Sequence, residues 1–140
     1  MIKNTAPADP GIARLLQGYA AQYGAAPDAK GGAGSAQIAL TVDDKYQIRL
    51  RALPAGGIAL HARLMPLPEP GPQRDEMLLG AARLACGTMR EHAAACVVDE
   101  RERALWLQQA ARTNSQQDID DAVGSFVNCL ALWTEFVKKL

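Results

Sequence analysis

Net charge is the first thing this sequence lacks. Fifteen lysines and arginines balance fifteen aspartates and glutamates, and no Lys/Arg cluster restores a local positive field, which argues against nucleic acid or an anionic membrane as partner. Aromatics make up only 5% of the chain, and just two histidines, His61 and His92, are on hand as general bases near neutral pH. The three cysteines, Cys86, Cys96 and Cys129, are odd in number and sit in apolar segments, so a secreted disulfide framework is not expected. No apolar run approaches the roughly 18 residues of a spanning helix, so no membrane insertion is expected. The opening MIKNTAPADPG has no apolar signal-peptide core, and the expected setting is reducing and cytoplasmic.

What is present fits one domain over 1–140. A chain of 140 residues with 49% hydrophobic content can bury about 68% of the surface its unfolded form exposes, enough for a core without metal or disulfide staples. Ile12, Leu15, Leu16, Tyr19 and Tyr23 recur at helical spacing over 11–23, with Asp9 and Pro10 placed as cap and first-turn residues. The stretch 24–36, dense in Gly, Ala and Pro, reads as a flexible connection. It lacks the Gly-Lys-Ser/Thr ending of a phosphate loop.

Three strands follow over 38–42, 46–51 and 58–65, each alternating apolar with other residues and joined by short turn-forming links, which predicts an antiparallel meander. Residues 74–92 read as a helix with a wide face of small and apolar side chains, interrupted by Gly80 and Gly87. Two shorter strands near 94–99 and 103–111 flank the charged turn Glu100-Arg101-Glu102, and a long helix over 117–138 opens on Ser115 and Asp118 at capping-box spacing. Its stripe runs through Ile119, Val123, Phe126, Val127, Leu130, Trp133 and Val137. The order helix, three strands, helix, two strands, helix predicts an α+β fold with a five-stranded, mainly antiparallel twisted sheet and three helices.

Chemistry is sparse. Cys86, His92 and Cys96 are the one grouping of metal-ligand type, but their spacing matches no zinc pattern and a fourth ligand is missing, so no metal and no cofactor is expected. A spatial Cys–His nucleophilic pair drawn from the same three residues stays open as an alternative, as does a small-ligand-binding or regulatory domain. The acidic clusters Asp43-Asp44, Asp99-Glu100-Glu102 and Asp118-Asp120-Asp121 fall in turns or a helix first turn, where solvation and the helix dipole account for them. His61 reads as a solvated surface residue. Arg49, Arg51 and Arg63 form a small basic strip on the mixed sheet face, and Leu53, Met65 and Trp106 are expected on that face too, with Leu67 in the loop after it. A contiguous patch of such residues implies binding.

The run from LTVDDKYQIRLRAL through GIALHARLMPLP, MLLGAARLACGTM and ACVVDERERALWLQQ to FVNCLALWTEF resembles the class I type III secretion chaperones of the Tir-chaperone (CesT-like) family, over roughly Ile12 to Phe136. The resemblance implies a bacterial, cytoplasmic, homodimeric protein without enzymatic activity. Such a protein holds the N-terminal segment of a secreted effector as extended chain, by added strands and apolar anchors, and keeps it competent for export. It also implies a dimer interface of Leu78, Leu79, Ala82, Ala85, Met89, Val97 and Val98, and effector grooves lined by Leu15, Leu16, Tyr19, Leu53, Met65 and Trp106. The chain departs from the family in its zero net charge and in the length of 24–36.

Overall fold

A computed structural model describes residues 9–23, 26–27, 37–54 and 56–139. The element order is α1 (Pro10–Tyr23), β1 (Ala26–Pro27), β2 (Gln37–Val42), β3 (Tyr46–Ala52), β4 (Gly57–Pro66), α2 (Pro72–Thr88), β5 (Ala95–Asp99), β6 (Ala104–Arg112) and α3 (Gln116–Val137). The α+β expectation holds, with its three helices and five long strands. A two-residue strand, Ala26–Pro27, is added inside the stretch expected to be a flexible connection; residues 24–25 and 28–36 of that stretch lie outside the described residues.

All strand pairs are antiparallel, in the order β1-β2-β3-β4-β6-β5. The expected meander is the β2-β3-β4 part. Its first turn places Asp43 and Asp44 at φ 55 and 51, the left-handed pair whose twist suits a tight hairpin and which Asp tolerates better than most residues. The second turn uses Gly56 at φ 88 and brings Gly57 so near β6 that a Cβ there would stand 2.7 Å from the Ala111 carbonyl oxygen. The β4–β6 pairing, from Gly57↔Arg112 to Pro66↔Ala104, is broken once by a bulge between Arg63 and Met65.

One sheet face is covered. Ile38, Leu40, Ile48, Leu50, Ile58, Leu60, Leu105 and Leu107 are buried there beneath the stripe Ile12, Leu16 and Tyr19 of α1 and the stripe Ile119, Val123, Phe126, Leu130 and Trp133 of α3. Asp9 caps α1 by accepting from the Gly11 and Ile12 N–H groups at 2.8 and 3.3 Å. Ser115 caps α3 by accepting from Asp118 N–H at 3.1 Å, while the Asp118 carboxylate accepts from Asn114 N–H at 2.9 Å, one residue earlier than an ordinary capping box.

The second helix is different. It starts on Gly71 without a side-chain cap, buries only Met77 and Ala81, and ends at Thr88 rather than 92. The Thr88 hydroxyl donates back to the Leu84 carbonyl at 2.9 Å, and the N–H groups of Glu91 and His92 both turn in to the Thr88 carbonyl, closing the helix.

Candidate functional site

The poor burial of α2 is the route to the first surface. Leu79 (53% exposed), Ala82, Cys86 and Met89 (72% exposed) recur at helical spacing along its open side. Gly87 lies on the flank beside that stripe, in line with Arg83, and a Cβ added there meets nothing within 4 Å. Glycine inside a helix costs about 1 kcal/mol against alanine, and among the described residues no neighbour requires it. The next strand, β5, is a sheet edge, and its Val98 is 41% exposed. Three of the five exposed large apolar side chains among the described residues thus fall in α2 and the segment through β5.

Of the residues the resemblance places in a dimer interface, Leu79, Ala82, Met89 and Val98 are exposed, while Leu78 and Ala85 are half-buried and pack on the rim of the core. Val97 and Val98 take opposite sides of the sheet: Val98 pairs with Leu105 on the helix-covered side, and Val97 pairs with Trp106 on the other. Cys86, although it sits in an apolar segment of the sequence, is exposed on the α2 stripe.

The second set is more dispersed than expected. Leu16 and Tyr19 are core residues; the Tyr19 hydroxyl donates to the Asp120 carboxylate at 3.2 Å, tying α1 to α3. Burial, and then the Asp120 charge and hydrogen bond, raise the Tyr19 hydroxyl well above its ordinary pKa. Neither side chain is open to a groove, because the stripe that makes α1 amphipathic is consumed in packing on the sheet. Leu15 is half-buried at the edge of that contact.

Met65 corrects a face assignment. Strict alternation puts it beside Arg63, but the bulge shifts the register by one, so Met65 pairs with Leu105 and packs on the core. Leu53 lies past β3 in the turn, where its carbonyl accepts from the Gly56 N–H at 3.4 Å. Leu67, expected in a wet loop, is buried, with its N–H donating to the Arg103 carbonyl at 2.8 Å. Trp106 therefore keeps the uncovered face without Met65. The Arg49 guanidinium lies 5.8 Å from its ring centroid and the His61 ring 5.6 Å away. His61 is half-buried there, not the solvated surface residue the sequence reading made it.

Two of the three thiols are pushed away from the reactive thiolate form. Cys86, Cys96 and Cys129 are all free. Burial pushes the Cys96 thiol up to about 11, and burial also raises Cys129, partly offset by the Trp133 indole. A nucleophilic cysteine needs a shift in the opposite direction. Among the described residues, no three His, Cys, Asp or Glu side chains group as metal ligands, and no helix is long and apolar enough to cross a membrane.

No protein-family model matches the chain, and no curated protein matches its sequence. Solved structures do match. A chain of the ExsC-ExsE complex superposes with a TM-score of 0.63 at 16% identity, over 89% of this chain and 91% of that one. A chain of the HopA1-SchA chaperone–effector complex gives 0.59 at 16% identity, over 87% and 91%. A chain of the heterodimeric ExoU-SpcU complex from the type III secretion system of Pseudomonas aeruginosa gives 0.56 at 14% identity, over 85% and 94%. At such identities the likeness concerns backbone architecture: this chain has the α+β fold found in these chaperone–effector and type III secretion complexes.

Proposed function

We propose that this chain is a type III secretion chaperone: one domain over 1–140, working in the bacterial cytoplasm, which binds the N-terminal segment of a secreted effector and holds it soluble, non-globular and ready for export. The observation that carries the reading is the near-full-length likeness of its fold to a chain of a chaperone–effector complex and to a chain of a heterodimeric complex from a type III secretion system. The raised Cys96 and Cys129 thiols favour this reading over a cysteine-dependent enzyme.

The working unit in this reading is a homodimer. Its interface is the open side of α2 with the β5 edge, where Leu79, Ala82, Met89 and Val98 supply apolar area. The client lies extended, adding strands to an open sheet edge and setting apolar side chains against Leu15, Leu53 and Trp106. Leu16 and Tyr19 support those positions from within the core, and Met65 from its rim.

Co-expression with the N-terminal segment of a secreted protein encoded by a neighbouring reading frame tests the reading. The expected outcome is a soluble complex in which limited proteolysis spares an extended client segment while cutting its flanks. A client segment that stays insoluble, or is cut uniformly in the presence of this protein, would count against it.

A further inference from the structure

The uncovered sheet face is rich in arginine. Arg49, Arg51, Arg63 and Arg112 share that side with His61 and Trp106: the register pairs Arg49 with His61, Arg51 with Ala59, Arg63 with Trp106, and Arg112 with Gly57. Arg51, Arg63 and Arg112 are exposed, with no ion pair or hydrogen bond among the described residues. The carboxylate on this side among the described strand residues, Asp99 at the end of β5, is held by the N–H groups of Arg101 and Glu102 at 2.9 and 3.2 Å. In a chain of zero net charge, the cations of this face are thus segregated from the carboxylates.

We infer that this face docks an extended acidic segment of a protein, with carboxylates at positions i and i+4. Arg51 and Arg63 lie on neighbouring strands, four residues apart along them, because Arg51 pairs with Ala59. At about 3.4 Å per residue and about 4.8 Å between strands, their backbones are about 14 Å apart. Carboxylates at i and i+4 of an extended chain span about the same distance and point to the same side. The residue between them, at i+2, faces the His61–Trp106 pair and packs on it when aliphatic.

A short segment fits better than a long polyanion. The turns holding Asp43, Asp44, Glu100 and Glu102 stand at the end of the sheet nearest Arg63 and Trp106, where they repel a strand of phosphates running past that end. This deepens the chaperone reading by naming the chemistry of the client segment, and it rests on that reading only for where the segment comes from.

The test uses the purified full-length protein and a capped synthetic peptide, Gly-Ser-Glu-Thr-Leu-Thr-Glu-Ser-Gly, against the same peptide with Gln for both Glu. Binding is read from tryptophan fluorescence at low salt, with the buried Trp133 as constant background. The Glu peptide should bind at least about tenfold more tightly than the Gln peptide. The same loss should appear in Arg51→Gln/Arg63→Gln and in about 1 M salt, where the Debye length is about 3 Å.

Equal binding of the two peptides overturns the inference. So does an unchanged constant in the double variant, or tighter binding of single-stranded oligothymidine than of the Glu peptide at the same salt. Thermal melting of the double variant verifies folding, and Arg51→Lys/Arg63→Lys, which keeps the charge, should restore most of the binding. If client capture succeeds while acidic-peptide binding fails, the inference falls and the chaperone reading stands. Peptide binding without client capture gives the reverse.

Discussion

Trimming the open side of α2 should separate the protomers without unfolding them. Full burial of a Leu or Met side chain is worth about 2.5 kcal/mol. Covering the 53% of Leu79 and the 72% of Met89 that the single chain leaves exposed is then worth about 1.3 and about 1.8 kcal/mol. Replacing both by Ala removes about two-thirds of that, about 2 kcal/mol per protomer. In a two-fold interface each residue counts twice, so Leu79→Ala/Met89→Ala should cost about 4 kcal/mol of association, or about 1,000-fold in the dimer dissociation constant.

The protomer itself should be little affected, since neither side chain is in its core. Sedimentation equilibrium over a concentration series reads the constant, and Leu132→Ala is the matched control: Leu132 is 40% exposed but lies on α3. A parent protein that is monomeric at micromolar concentration, or a double variant whose constant matches that of the control, would refute the assignment of this face.

Three further outcomes follow from the packing and from the burial of Cys96. Trp133→Ala removes a fully buried ring from α3 and should cost about 4 kcal/mol in urea unfolding; a loss under about 1 kcal/mol would show that α3 is not docked as described. Ser115→Ala deletes the α3 cap and should cost about 1 kcal/mol, with the loss absent if Asp118 N–H has another acceptor. Burial raises Cys96 from 9.0 to about 11, so the unfolded chain ionises first as pH rises. Its contribution is complete below pH 9 and is lost between pH 9 and 11; alkaline unfolding curves should therefore be shallower in that window for Cys96→Ala than for the parent.

Local chemistry was the legible part of the fold. The α3 stripe with its Ser115 cap, and the β2-β3-β4 meander with its Asp-Asp and Gly-Gly turns, each follow from a few adjacent residues. Strand neighbours far apart in the sequence do not: the β4–β6 pairing links residues 38 to 55 positions apart, and no short-range signal marks it. That pairing is what adds Arg112 to the basic face that Arg49, Arg51 and Arg63 had outlined.

The bulge between Arg63 and Met65 was equally silent, since alternation is apolar on both sides of it, and it moved Met65 to the other face. Leu16 and Tyr19 show the limit of reading a site from an amphipathic helix. The same stripe serves a groove or a core, and the presence of an open sheet beside α1 decides for the core. The α2 pattern was ambiguous in the same way, since a wide face of small and apolar side chains suits a sheet or a partner, and the structure leaves Leu79, Ala82 and Met89 exposed.

Export itself is the most direct test of the central claim. In a bacterium that carries the secretion apparatus, the protein encoded beside this chain should fail to reach the medium when this chain is deleted, while other exported proteins are unaffected. Restoring the chain should restore export. Undiminished export of that protein in the deletion strain would contradict the account.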